Sequence, residues 1–194
     1  MLIAIFLPRN FLYGTLFLYY MNQIQQIEYI IVHHTERNND FPFFVKLRHK
    51  FLRGWEDIGY HYLIGNTRPF SKNGKLYSGR SEKFEGAHAL GYNGNSLSVC
   101  LIGNFDKKIP SEEQFETLFS LLEEKIRQYD IPIENVRGHS ELPNVDKSCP
   151  GRLVNMDYVR AVLSGQENFS ASRYAAMLDH AALSPIGSGQ LTGC

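Results

Sequence analysis

Apolar and polar positions change period several times along the chain, and each change predicts an element. Ile27 to Val32 is nearly all apolar, the pattern of a central strand covered on both faces. After the polar run at 35–40, TERNND, the residues Phe44, Leu47, Phe51 and Leu52 recur at helical spacing, and Gly54 supplies a stop. Tyr60 to Ile64 predicts a second strand, Asn73-Gly74 a hairpin turn, and Lys75 to Gly79 the returning strand. Residues 86–93 then read as a loop of small residues carrying one imidazole. Ser96 to Phe105, SLSVCLIGNF, alternates and then runs apolar, predicting another core strand. Ser111 with Gln114 forms a capping box, and Phe115, Leu118, Leu122 and Ile126, with Phe119 and Tyr129 beside them, give the stripe of a helix ending near Asp130. Ile131 to Val136 reads as a short strand, Tyr158 to Leu163 as a closing helical turn, and Tyr174 to Leu183 as one more helix.

Irregular alternation of strands and helices with one hairpin predicts an α/β fold: a single domain with a central mixed sheet flanked by helices. The division expected along the chain is an apolar segment at 1–25, the domain itself at 26–165, and a tail at 166–194 with Ser, Gly and Pro punctuation and no chemical motif. Residues 1–21 are apolar and aromatic but broken by Pro8, Arg9 and Asn10, so they match neither a spanning helix nor an export signal. They read as a poor export or anchor segment, as an added apolar element, or as sequence upstream of a true start at Met21, the preferred reading; no stable membrane span is expected.

At 194 residues with 43% apolar content, the chain can bury a core of ordinary size. Its 20 basic and 20 acidic side chains balance, which argues against nucleic acid or an anionic membrane as the main partner. Three cysteines, Cys100, Cys149 and Cys194, lack disulfide-scaffold spacing; Cys100 reads as core and Cys194 has no role.

The chemistry concentrates in Arg137-Gly138-His139-Ser140-Glu141 and Lys147-Ser148-Cys149-Pro150-Gly151, where a His and a Cys stand ten positions apart. Imidazole and thiolate are both good Zn²⁺ ligands, and a loop of this length can bring them onto one ion. Ile30-Ile31-Val32-His33-His34 can supply a third ligand, because an apolar run ending in two His delivers one of them at the end of a buried strand. Adjacent strand residues face opposite ways, so one of His33 and His34 is the ligand, and the pattern alone does not choose between them. Together these pieces predict a zinc hydrolase. A lone His on an apolar strand, a lone Cys, a strand Tyr or a loop Lys is more often structural; the combination is what lifts them. His49 and His61 read as structural and His180 as surface.

IIVHHT, GYHYLI, the GR and GAHALGYNGNSLSVCLIGNF run, and RGHSE with KSCPG resemble the zinc-dependent type 2 N-acetylmuramoyl-L-alanine amidases, which include peptidoglycan recognition proteins and phage lysozyme-amidases. The resemblance covers about Ile27 to Val154. It implies cleavage of the amide between N-acetylmuramic acid and the L-alanine of the stem peptide. It further implies His33, His139 and Cys149 as Zn²⁺ ligands, Tyr60 and Lys147 as catalytic side chains, and His88 with Asn93 in the substrate groove, leaving His34 for a hydrogen bond or substrate contact. The expected partner is peptidoglycan or soluble muropeptide and the expected state a monomer. A phage-type lysis enzyme would be cytoplasmic in the producing cell and act on the wall, whereas an exported enzyme would use the N-terminal segment. The rival from another class is a recognition module that binds muropeptide without cleaving it. A structural zinc domain on nucleic acid is disfavoured, since neither a fourth ligand nor a basic surplus is present.

Overall fold

Strand β4, Ser96–Leu101, is buried at every position, and its alternating Ser-Leu-Ser-Val-Cys-Leu sequence divides the molecule into two unlike layers. In the computed structural model, which describes residues 22–67 and 71–183, β4 pairs with β1, Tyr29–His34, and with β2, Tyr62–Ile64, both parallel. Strand β5, Val136–Gly138, lies parallel on the far side of β1, and β3, Leu76–Ser78, runs antiparallel to β2. The order β3-β2-β4-β1-β5 makes one mixed sheet, flanked by helices on both faces, as the sequence predicts.

One face is dry. Ile30, Val32, Val99 and Leu101 pack there with Phe115, Leu118, Phe119, Leu121 and Leu122 of helix α2, Glu112–Tyr129. The predicted capping box starts α2: Gln114 N–H donates to Ser111 Oγ, and Ser111 N–H to Gln114 Oε1. Helix α3, Met156–Leu163, adds Met156 and Val159 to this core, and α4, Ala171–Leu183, adds Tyr174. Tyr174 is fully buried; its hydroxyl donates to the Leu153 carbonyl and accepts the Asn155 N–H. Burying one such aromatic contributes about 1.5–3 kcal/mol, so α4 is tied to the core through Tyr174, with Met177 and Leu178 partly buried against it, although the sequence assigns that stretch no motif.

The opposite face carries Ile31, His33, Ser96, Ser98 and Cys100. Helix α1, Pro42–Arg53, covers part of it through Val45, which packs with Ile58, Leu63, Cys100 and Ile102. Gly54 ends α1 at φ +68, donating its N–H to the His49 carbonyl.

Strand β3 is trimmed by one residue at each end, and three further strands are shorter than expected, each for a local reason. The second starts at Tyr62 because His61 N–H donates to Ser98 Oγ instead of a backbone carbonyl. The long strand stops at Leu101, and Gly103 turns the chain at φ +151. Pro132 opens a 3₁₀ turn at Ile133–Asn135, so β5 begins only at Val136. Among the described residues no helix is long and apolar enough to cross a membrane. The expectations for residues 1–21 and for Cys194 lie outside the described residues, as does the side chain of His180.

Candidate metal centre

Parallel strands β1 and β5 end side by side with Val32 opposite Gly138, so the residues next in line, His33 and His139, meet at the carboxyl edge of the sheet. Their ring centroids lie 4.6 Å apart. The loop bearing Cys149 closes over them: Ser140 N–H donates to the Cys149 carbonyl at 2.6 Å. Glycine is required at 138, since a Cβ there would stand 2.9 Å from Pro150 Cδ and 3.0 Å from Met156 Cγ. Ser148 Oγ donates to Asp106 and Leu153 N–H to the Phe105 carbonyl, which ties the loop to the chain after β4.

His33, His139 and Cys149 therefore offer ligand atoms that all lie within 4.8 Å of one another. Cys149 Sγ is 3.6 Å from His33 Nδ1. Donors about 2.0–2.3 Å from a tetrahedral ion stand roughly 3.3–3.8 Å apart, the spacing of Cys149 Sγ and His33 Nδ1, so the group could hold a metal ion. Burial, then His88, His139 and His34, hold His33 well below the usual imidazole pKa. Burial and the Lys147 charge lower His139. Both rings are thus neutral, the form that ligates. The Cys149 thiol is pushed up to about 12, chiefly by burial, so a bound cation is what would make it a thiolate.

These three residues line a cleft of about 370 Å³, together with Tyr60, His34, His88 and Lys147. The Tyr60 ring lies 5.2 Å from His33, and burial, with Cys100 and Cys149 nearby, raises its pKa far enough to keep it a neutral phenol. Lys147 is exposed at the rim. His34 is buried on the other side of β1: its Nδ1 accepts the Phe105 N–H, while Nε2 has no hydrogen-bond partner among the described residues, the Glu36 carboxylate standing 3.8 Å away. His88 touches the centre directly, with Nδ1 3.1 Å from His33 Nε2. Asn93 is not among the residues lining the cleft; its Oδ1 accepts the N–H groups of His88 and Ala89 and so shapes the loop that presents His88. His61 is structural as expected, bonded to Ser98 and the Phe84 carbonyl.

Sequence reasoning missed the far wall, where Arg37, Arg53, Trp55 and His49 line the cleft. His49 Nδ1 accepts the Gly59 N–H, and its ring packs against Trp55 and Tyr60. It missed Arg80 too, whose buried guanidinium donates to the carbonyls of Ile58 and Glu85 and so joins two of the cleft loops. Only the paired Gly79-Arg80 hinted at that role.

A sequence profile of the N-acetylmuramoyl-L-alanine amidases matches residues 23–152. The chain is 36% identical to the endolysin of Escherichia phage T7 over 103 residues, covering 50% of this chain and 62% of that protein. It is 45% identical to peptidoglycan-recognition protein SD of Drosophila simulans over 74 residues, 38% of this chain and 37% of that protein. Both alignments span less than two thirds of the curated relative. Among solved structures, the N-acetylmuramoyl-L-alanine amidase LysC from Clostridium intestinale URNW superposes with a TM-score of 0.60 at 28% identity, covering 82% of this chain and 89% of that one. With the profile running from before β1 to beyond Cys149 and the fold matching over four fifths of the chain, this protein belongs to the N-acetylmuramoyl-L-alanine amidase family.

Proposed function

We propose that the chain is a zinc-dependent amide hydrolase cutting the bond between N-acetylmuramic acid and L-alanine in peptidoglycan or its soluble fragments. The observation that carries this reading is the donor set His33, His139 and Cys149 on the floor of a cleft also lined by a neutral phenol and an ammonium. Two imidazoles and a thiolate suit Zn²⁺ better than the hard cations Mg²⁺ and Ca²⁺. Three protein ligands rather than four among the described residues favour catalysis over scaffolding, and Zn²⁺ held there would supply an open position and an acidified water.

The chain's own side chains would do the rest. Tyr60, held as the phenol, can donate or accept a hydrogen bond beside His33 and orient the attacking water. Lys147 brings positive charge to the rim, suited to the oxyanion that forms when an amide carbonyl is attacked. His34 Nε2–H is a buried donor without a hydrogen-bond partner among the described residues, Glu36 standing 3.8 Å away, which suits it to a substrate carbonyl or carboxylate. Arg37 and Arg53 add cations to the cleft wall, complementary to the carboxylates of a stem peptide. Trp55 gives the same wall an apolar face.

The 45% identity to a peptidoglycan-recognition protein favours one second reading, a module that binds muropeptide without cleaving it. A monomeric lysis enzyme, made in the cytoplasm and acting on the wall, accords with the endolysin similarity. The deciding experiment incubates the protein with intact sacculi and with soluble muropeptides, with and without a zinc chelator, and reads products by mass spectrometry. Free stem peptides beginning at L-alanine, lost on chelation and restored by Zn²⁺, are expected; intact substrate with zinc bound would transfer the assignment to the binding module.

A further inference from the structure

The polar face contains a line of hydrogen bonds whose direction is settled by its far end. Ser96, fully buried on β4, donates its one hydroxyl hydrogen to the Tyr92 carbonyl at 2.6 Å, an oxygen that can only accept. Its oxygen can then only accept from His88 Nε2, 3.4 Å away, so that nitrogen carries the proton. A neutral His88 protonated at Nε2 has a lone pair on Nδ1, and the atom facing it at 3.1 Å is His33 Nε2. His33 must therefore be protonated at Nε2, which leaves the lone pair on Nδ1, the atom directed at Cys149 Sγ.

We propose that the Tyr92 carbonyl, Ser96 and His88 form a relay that selects the Nε2–H tautomer of His33 and aims its Nδ1 lone pair at the metal position. The inference rests on the zinc reading above for its purpose, while the tautomer follows from the hydrogen bonds between two rings that burial keeps neutral. Ser96 and His88 are positioning residues here, acting on zinc through His33. A ligating imidazole held by its second nitrogen is a better-oriented and more basic donor, and losing the group that holds it costs roughly 10–100-fold in metal affinity.

Two further observations indicate that the relay is built rather than incidental. A Cβ at Gly86 would collide with the His88 ring, so glycine there makes room for the imidazole. Asn93 Oδ1 fixes the His88 backbone by accepting its N–H and that of Ala89, 2.9 Å each. The ring and the main chain of His88 are thereby restrained by different residues, and Tyr92, Asn93 and Ser96 all come from one short stretch leading into β4.

The test combines imidazole ¹⁵N NMR of the metal-free full chain with zinc affinity measured by chelator competition. In the wild type His33 is expected as Nε2–H; an Nδ1–H form in the metal-free protein would overturn the relay. His88→Leu should lower zinc affinity about 10–100-fold, and Ser96→Ala about 10-fold with a mixture of His33 tautomers. His88→Asn keeps an acceptor oxygen where Nδ1 stood and should bind zinc within about 3-fold of the wild type. Equal losses in His88→Asn and His88→Leu, or an unchanged tautomer and affinity in Ser96→Ala, would refute it. Should His88→Leu not fold, the wild-type spectrum and Ser96→Ala still decide. Zinc binding by the wild type keeps the two readings apart: a wild type that takes no zinc sinks the metal reading and the relay's purpose with it, whereas one that binds zinc with the wrong tautomer sinks the relay alone.

Discussion

The two faces of the sheet are built from the same strands on different principles. On the α2 side, Val99 and Leu101 of β4 meet a continuous apolar core reaching from Phe115 to Tyr174. On the other side, the alternate residues Ser96, Ser98 and Cys100 are just as buried, yet Ser96 faces His88 and Ser98 faces His61, while Cys100 packs under Val45 of α1. The dry face is held by area, which is tolerant of detail. The other face has only a small apolar cluster under Val45 and is otherwise held by paired donors and acceptors, where a single missing partner is costly. Stability therefore resides mainly in one face and chemistry in the other.

Removing a metal ligand should separate them most sharply. Cys149→Ala is expected to abolish zinc retention and turnover while leaving the unfolding midpoint of the metal-free protein within a few degrees of the wild type, as read by metal analysis, product release and thermal denaturation. A collapse of the metal-free fold would refute the division. The converse change is Leu118→Ala on α2, fully buried in the dry core, with an expected cost of roughly 2–5 kcal/mol. Denaturant unfolding measures that cost, and one zinc per folded chain should persist; loss of zinc from the still-folded variant would mean that the faces are coupled. Lys147→Ala lies at the rim of the cleft, outside both cores, and should lower turnover on the order of 10²–10³-fold with zinc retained. Unchanged turnover would remove Lys147 from the mechanism.

How much of each face was legible follows from the same contrast. Apolar periodicity marks the dry face directly: the α2 stripe, its cap at Ser111 and the β4 core all appear where the pattern puts them. Tyr174 was harder, because a lone aromatic in a Ala- and Ser-rich stretch gives no stripe to read. On the polar face, His33, His139 and Cys149 are brought together as expected, but that expectation drew on motif resemblance. The partners that restrain them carry no periodic signal. Ser96 looks like the polar half of an alternating strand, and Asn93 looks like a groove residue until its oxygen is found on two backbone N–H groups. Arg37, Arg53 and Trp55 sit on or beside α1, and their part in the cleft depends on how that helix docks through Val45, a tertiary fact.

The smallest expected effect is also specific to the polar face. Its buried imidazoles His33, His61 and His88 are all lowered from the ordinary value, each chiefly by burial. His49 is pushed down to about 4 by burial and the charges of Arg48, Arg53 and Arg80. In the unfolded chain an imidazole takes up its proton near pH 6.5, so below that pH the unfolded state binds more protons and stability declines as pH falls. For His49 the decline spans about pH 6.5 to about 4. Protonation there would also forfeit the Gly59 N–H bond that Nδ1 accepts at 2.9 Å. His49→Asn keeps an acceptor for that N–H and removes the titration. Thermal unfolding of the metal-free protein at pH 7 and pH 5 should therefore show a smaller pH-dependent drop in the variant than in the wild type. After discounting for solvent screening at a half-buried ring, the difference is roughly 1 kcal/mol or less, about 2–4 °C in Tm. Equal drops in the two proteins would assign the acid sensitivity to the deeper histidines, leaving His49 a packing residue against Trp55 and Tyr60.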